Sequence, residues 1–298
     1  MITTPITEIF CDIDDFYKGF SENNSAHVLP NPNRQRCRQS QLAASEIMCI
    51  LILFHLSHYR TFKDFYIDCV CADLKSFFPN LVTYHRFLEI QSSVLVALTA
   101  YLLSKTGDKT NLYYLDSTTL KVCHNKRIYR NKVFKGIATR GKSSMGWFYG
   151  FKLHLVINHK GEIMAFSLTK GNVDDRVPVE GLTRNLEGLA AADKGYISKK
   201  LEEDLQKNNL KFITKVRRNM KKKMRTAFEK FFLAQRSIVE TVIEQLKSIC
   251  QIEHSRHRSP INFLVNLVSG LAAYCLKPRK PAIKMRCLDD HKNALIPS

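Results

Sequence analysis

The run Tyr113-Tyr114-Leu115-Asp116-Ser117-Thr118-Thr119-Leu120 constrains this chain more than any other stretch. Aromatic and β-branched residues bounded by polar ones predict a buried strand, and a carboxylate sits in its middle. Burying a carboxylate is expensive unless a cation meets it. A fold built on this strand must therefore bring a positive charge to Asp116. A plainer arrangement is open at this point, in which Asp116 ends the strand and caps a turn with Ser117.

The rest of the chain has the means to supply that charge. Its 298 residues are 45% hydrophobic, enough for one large domain or two ordinary ones, and Lys plus Arg outnumber Asp plus Glu by 46 to 27, a formal charge of +19. Such an excess opposes compaction and points to a polyanionic partner, nucleic acid before an anionic membrane surface. The nine cysteines are scattered without a C-x-x-C pair, which predicts neither a disulfide framework nor a zinc knuckle and fits a reduced, cytoplasmic setting. No signal peptide is expected from residues 1–10. The apolar runs Ile47–Leu56 and Phe263–Leu276 fall short of the ~20 residues of a bilayer span, so no membrane insertion is expected.

Taken in order, the acids of Cys11-Asp12-Ile13-Asp14-Asp15-Phe16 read as the solvated face of a first helix, and Arg34, Arg36 and Arg38 as part of a basic, proline-bearing connector. Helical patterns follow at 41–56, 62–74 and 84–103, which predicts an all-helical domain over residues 1–108 that ends at the polar seam Lys105 to Thr110. Residues 132–144 read as a basic loop whose Arg140 and Lys142 either touch DNA phosphates or are plainly solvated. Trp147–Ile157 and Glu162–Thr169 alternate around Asn158-His159-Lys160-Gly161, the pattern of a β-hairpin. In it Phe151, Leu153, Leu155 and Ile157 share a face, and His154 lies on the other parity as a structural or solvent-facing residue. A turn at Gly171–Arg176 leads into a helix begun by Pro178. A short strand follows, ending on Asp193, then a helix over 198–208 and a fifth strand over 211–216. Strand, hairpin, helix, strand, helix, strand describes an α/β domain, a mixed five-stranded sheet flanked by helices, assigned to 109–276, with a basic tail over 277–298.

Between the fifth strand and the next helix, Arg217, Arg218, Lys221, Lys222, Lys223 and Arg225 form a basic run, read either as solvated surface or as a rail for phosphates. The helix that follows is expected to bury Val239, Val242, Ile243, Leu246 and Ile249 on one face. On an adjacent stripe Arg236, Glu240 and Lys247 place a carboxylate between two cations. Ser237-x-x-Glu240 also matches a helix capping box, in which Glu240 serves only the helix start. Asp116, Asp193 and Glu240 are then three acids that a mixed sheet with a late crossing helix can bring together. Carboxylate oxygens are the ligands Mg²⁺ prefers, and two such ions about 3.5–4 Å apart suit phosphoryl transfer.

The arrangement Leu115-Asp116-Ser117, Asp193-Lys194-Gly195-Tyr196 and Arg236-x3-Glu240-x6-Lys247 resembles the DDE transposases of bacterial insertion sequences. Longer phrases resemble one branch, the insertion-sequence 982 family: Gly141 to His154 (GKSSMGWFYGFKLH), Gly171 to Arg176 (GNVDDR), Gln251 to Ser259 (QIEHSRHRS), Glu8 to Cys11 and Tyr59 to Tyr66. The resemblance covers nearly the whole chain. It implies a ribonuclease-H-like core in which Asp116, Asp193 and Glu240 hold two Mg²⁺ or Mn²⁺ ions. It also implies cleavage at the ends of an element, strand transfer of the freed 3′-hydroxyl into target DNA, a helical N-terminal domain that helps hold those ends, and a homodimer on DNA in the bacterial cytoplasm at the nucleoid. Arg236 and Lys247, with Arg140, Lys142, Arg217, Arg218, Lys221 and Lys222, are the expected phosphate contacts. Leu233 stands where the related signature has a tyrosine, and Ala190-Ala191-Ala192 is small for its strand, as in a decayed copy. Two rivals remain: a DNA-binding regulator without catalysis, and a structure-specific nuclease on the same core.

Overall fold

The strand that carries Asp116 is β1, Leu112–Cys123. In the computed structural model, which describes residues 5–24, 41–57, 59–216, 219–220, 224–253 and 257–283, it lies at the centre of a mixed sheet. Strand β3 (Gly146–Asn158) pairs antiparallel with one side of β1, and β5 (Gly188–Ala192) pairs parallel with the other. Strand β6 (Leu210–Thr214) extends the sheet parallel to β5. The far side of β3 is shared: β2 (Thr139–Ser143) takes Gly146 to Gly150, and β4 (Ile163–Lys170) takes Phe151 to Ile157.

Six strands therefore stand where five are expected, and β2 is the addition. Its residues read as a loop because hydrophobic alternation, the sequence signal of a half-buried strand, is missing from Thr139-Arg140-Gly141-Lys142-Ser143. The inward position has to be glycine, since a Cβ on Gly141 would lie 2.0 Å from the carbonyl oxygen of Gly171. Gly146, at φ 103°, lets the chain reverse after Ser144-Met145.

Alternate residues of β1 serve opposite faces of the sheet. Tyr113 and Leu115 join a core with Val156, Ala190, Ala192, Phe212, Leu186 and the helical residues Val179, Tyr196 and Leu205. Two short helices, α6 (Val179–Thr183, after Pro178) and α7 (Lys199–Lys207), contribute to that side. On the other face the Tyr114 ring stacks on Phe232 at 4.4 Å, and its hydroxyl donates to the Phe232 carbonyl at 3.1 Å. Phe232 belongs to α8 (Ala227–Ala234), which a Thr226–Glu229 capping box begins. The three alanines of β5 are fully buried, with Ala190 and Ala191 in register beside Tyr113 and Tyr114. Small residues against large ones fill the layer, so their size is accounted for by packing.

The chain divides into two compact units. The sheet belongs to the unit made of Thr106–Gln245, Glu253–Arg256 and Lys277–Ser298. The helical unit comprises Met1–Lys105 with Leu246–Ile252 and His257–Leu276. It holds α1 (Ile6–Asn24), α2 (Ala44–Leu56), α3 (Phe62–Asp64, continued as a π-helix over Phe65–Asp73), α4 (Tyr84–Ile90), a 3₁₀ turn, α5 (Leu95–Ser104) and α10 (Pro260–Leu276). A continuous sheet domain over 109–276 is thus interrupted: α10 is apolar on nearly every side and packs with α2 and α5, as a helix without a polar face must. Asp12 of α1 is tied down rather than simply solvated, accepting from the Tyr101 hydroxyl and Lys105 Nζ, each at 2.6 Å. Tyr84–Ser104, 21 residues with the 3₁₀ turn inside, is long and apolar enough to cross a bilayer by length and composition. No unbroken apolar run marks it in the sequence, because Gln91-Ser92-Ser93 interrupts it. Its Phe87, Val94, Leu98, Tyr101 and Leu102 are buried. Arg34, Arg36, Arg38, the basic residues Arg217, Arg218, Lys221, Lys222 and Lys223, and the tail beyond Ile283 lie outside the described residues.

His154 is structural. It is buried on β3, its Nε2 meets Thr169 Oγ1 at 2.8 Å, and its Nδ1 has no hydrogen-bond partner. Burial pushes its pKa down to about 4, against roughly 6.5 in an unfolded chain. The unfolded state therefore takes up the proton first. Stability contributed by the neutral ring is complete above about pH 6.5 and is lost as the pH falls towards 4, by up to roughly 3 kcal/mol. His154→Gln is expected to flatten the pH dependence of the denaturation midpoint across that window relative to wild type; parallel curves would exclude the assignment.

Candidate active site

Register brings the first two acids together. Leu115 pairs with Ala192 across the parallel β1–β5 ladder, and β5 ends there. Asp116 and Asp193 are thus the next residues on adjacent strands, whose backbones run about 4.8 Å apart.

The third acid arrives on a helix hinged over the same face. Tyr114 and Asp116 share a parity on β1, and Phe232 sits on Tyr114. Two strand residues advance the chain by about 6.6 Å, and four helical residues by about 6 Å. Arg236, four residues beyond Phe232, is in this way carried level with Asp116. It occupies the turn Gln235-Arg236 between α8 and α9 (Ser237–Ser248). Glu240 follows one helical turn later, where it can reach back.

The result is one guanidinium among three carboxylates. Arg236 Nη2 lies 2.7 Å from Glu240 Oε1 and 3.7 Å from Asp193 Oδ1, and Nη1 lies 3.6 Å from Asp116 Oδ2. Arg236 is buried and its Nε has no hydrogen-bond partner. Side-chain exposure rises from 21% at Asp116 through 36% at Asp193 to 55% at Glu240, so the cluster opens to solvent on the α9 side. Burial pushes the Asp116 carboxyl up to about 6, with the Asp193 and Glu240 charges adding to the rise; the Ser117 backbone N–H, which donates at 2.8 Å, and Arg236 hold it down only in part. The Glu240 carboxylate thus meets Arg236, the partner that the helical stripe proposed, and the cation that Asp116 required is the same residue.

A second set of polar groups adjoins the first, and the sequence reading missed its role. Ser117 Oγ donates to Asp175 Oδ1 at 3.0 Å, and Lys152 Nζ donates to the same oxygen and to the Val173 carbonyl, each at 2.9 Å. Tyr196, three residues past Asp193, is hydrogen-bonded with Ser117, and its phenol is raised by burial and by the charges of Asp116, Asp175 and Asp193. The available signal was Lys152, a lysine between Phe151 and Leu153 in an otherwise apolar strand: a buried ammonium needs an acid. The turn Gly171–Arg176 supplies it.

The other expected contacts are placed differently. Arg140 and Lys142 stand exposed on β2, with Arg140 Cζ 4.7 Å and Lys142 Nζ 5.9 Å from the Trp147 ring centroid. Lys247 is half-buried near the end of α9, in the segment that groups with the helical unit. Leu233 is buried on α8. Arg217, Arg218, Lys221 and Lys222 are among the residues not described.

The donors suit a hard divalent cation: three carboxylates turned towards one positive charge, one of them desolvated and incompletely neutralised. Among the described residues no three His, Cys, Asp or Glu side chains already form a ligand cage, because the guanidinium stands between them. Asp116, Asp193 and Glu240 are the residues that would hold the metal.

The transposase DDE domain family matches residues 106–260 of the chain. Among solved structures, the piggyBac transposase synaptic complex with hairpin DNA aligns over 100% of this chain and 80% of that one, with a TM-score of 0.42 and 11% identity. The Mos1 strand transfer complex aligns over 92% and 85%, with a TM-score of 0.23 and 9% identity. No curated protein matches the sequence.

The raised carboxyl carries a measurable cost in the metal-free protein. Folded Asp116 titrates near 6 rather than at the ordinary 3.8, so the stability it contributes is complete below about pH 4 and declines as the pH rises through 6. Asp116→Asn is expected to raise the melting temperature in chelator at about pH 7.5, by the equivalent of roughly 1–3 kcal/mol once its partial exposure is allowed for. Below about pH 4 the two proteins should melt together. Equal melting at both pH values would show that Arg236 already neutralises the acid.

Proposed function

The chain belongs to the transposase DDE-domain family, and from that premise we propose that it cuts DNA at the ends of its own element and joins the freed 3′-hydroxyl to target DNA. The single observation that carries the reading is the meeting of Asp116, Asp193 and Glu240 around Arg236. The strand order, with β1 central, β3 and β4 antiparallel on one side and β5 and β6 parallel on the other, supports a ribonuclease-H-like core. The long phrases of the sequence support the insertion-sequence 982 branch, and with it a bacterial cytoplasmic setting. Terminal inverted repeats and target DNA are the substrates, a homodimer is the form that pairs two ends, and no membrane is involved.

In the first reaction water attacks a backbone phosphorus, the bond to the 3′ oxygen breaks, and a 3′-hydroxyl is left. In the second that hydroxyl attacks a target phosphodiester, forming a new phosphorus–oxygen bond as the target's own 3′ oxygen leaves. Two Mg²⁺ or Mn²⁺ ions bound by the three carboxylates would activate the attacking oxygen and stabilise the leaving one. The chain's own residues prepare that site. Tyr114 and Phe232 fix the helix over the strand, and the Ser117 N–H orients the Asp116 carboxylate. The Asp175–Lys152 pair holds Ser117. Arg236 keeps three like charges together and, with Lys247, is assigned to backbone phosphates near the cut. The excess positive charge draws a polyanion to an acidic centre.

Purified protein given Mg²⁺ or Mn²⁺ and DNA carrying its terminal repeats is expected to nick and join. Asp116→Ala, Asp193→Ala and Glu240→Ala should each lose both reactions while binding the same DNA within a few-fold, because each removes an acid and leaves the phosphate-binding cations in place. Wild type that neither nicks nor joins, and matches Asp116→Ala, would sink the catalytic claim. Bound DNA with no divalent-ion binding by calorimetry would identify a regulator, and cleavage without joining a nuclease.

A further inference from the structure

We propose that the exposed face of the β2–β3 hairpin, centred on Trp147, is a DNA-docking surface on which an unpaired base stacks. This rests on the transposase reading and adds a contact remote from the carboxylates. Trp147 is the chain's one tryptophan and is 52% exposed. The pairs Lys142–Trp147 and Arg140–Tyr149 put both cations on the same sheet face as the indole, and both lie within cation–π reach of its ring.

The hairpin is built to present that face. Its opposite side is closed by the buried Phe148 and by Gly141, pressed against Gly171. The 3₁₀ segment Asn125–Arg130 is fastened to it by Asn125 Nδ2 donating to the Trp147 carbonyl at 2.7 Å, and carries exposed Lys126, Arg127 and Arg130 beside a fully exposed Tyr129. From Ser117 to Gly161, 45 residues contain ten Lys or Arg and no Asp or Glu. Exposed cations beside the exposed rings of Trp147 and Tyr129 fit a phosphate backbone whose bases stack on the rings. Within a paired duplex each base face is covered by its stacked neighbours, so the occupant away from a blunt end is a nucleotide out of its pair.

The position suits a strand running to the active site. Trp147 lies eight residues along β3 from Leu155, the partner of Asp116, roughly 26 Å, which is about eight nucleotides of a stacked strand. The same exposed rings and cations would also suit an anionic bilayer surface. DNA is favoured because the hairpin belongs to the sheet that carries the carboxylate cluster.

The single tryptophan makes the test direct. Without divalent ions, wild-type protein is titrated with a blunt duplex of arbitrary sequence, with the same duplex bearing a single-stranded overhang, and with phosphatidylserine vesicles. Trp147 emission is followed, and anisotropy of labelled DNA reports binding independently. The overhang DNA is expected to quench emission more than the blunt duplex. Trp147→Ala, checked for an unchanged melting temperature, should weaken overhang binding by about ten-fold, and Trp147→Phe by much less. Arg140→Ala and Lys142→Ala should each lower the salt dependence of binding. Anisotropy that reports full binding with unaltered emission and no effect of Trp147→Ala would overturn the surface while leaving the transposase reading intact. Equal quenching by both DNAs would overturn base stacking, and a response to vesicles alone would make this a membrane surface. No DNA binding in any form would remove the transposase reading and this surface with it.

Discussion

One buried guanidinium held among three carboxylates is the interaction on which the rest of the sheet unit depends. Each acid alone would be costly to desolvate, and the three together repel one another. Arg236 offsets that repulsion, but incompletely, which is why Asp116 remains a weak acid for its kind. A site of this kind is poised: its negative charge exceeds the positive charge the chain supplies, and a divalent cation is the natural complement.

Placing that guanidinium takes most of the architecture. The parallel β1–β5 register sets Asp116 beside Asp193, and the Tyr114–Phe232 stack fixes α8 over the strand so that the following turn brings Arg236 level with the acid. The alanines of β5 and the bulky residues of β1 are one packing solution, and α8 can lie close because of it. Behind the acids, Lys152, Asp175 and Ser117 form a half-buried polar network whose groups satisfy one another. Rigid support of this sort lets a charged cluster persist instead of collapsing onto solvent.

Charge is distributed to match. The acidic centre is small, and the chain that carries it has a formal charge of +19. Much of the basic run after β6 lies outside the described residues, whereas the hairpin's Arg140 and Lys142 are displayed on an exposed face beside Trp147. The helical unit is held by apolar packing, with α2 and α10 at its interior.

Local pattern alone determined a good deal of this: the strand around Asp116, the hairpin of β3 and β4, the helices around them, the order of the three acids and the excess of positive charge. These follow from periodicity and composition, which depend on near neighbours in the chain; α8 (Ala227–Ala234) is the helix of the sheet unit that they did not mark. What only the tertiary structure decided are pairings between distant residues. Strand β2 was hidden because its buried position is a glycine. Helix α10 left the sheet unit because its apolar sides needed partners that only the amino-terminal helices offer. Asp116 and Asp193 found their cation in Arg236, and Lys152 found its acid in the turn before α6, because a charge takes the partner that register and helix phase bring within reach, and neither is written in any one segment.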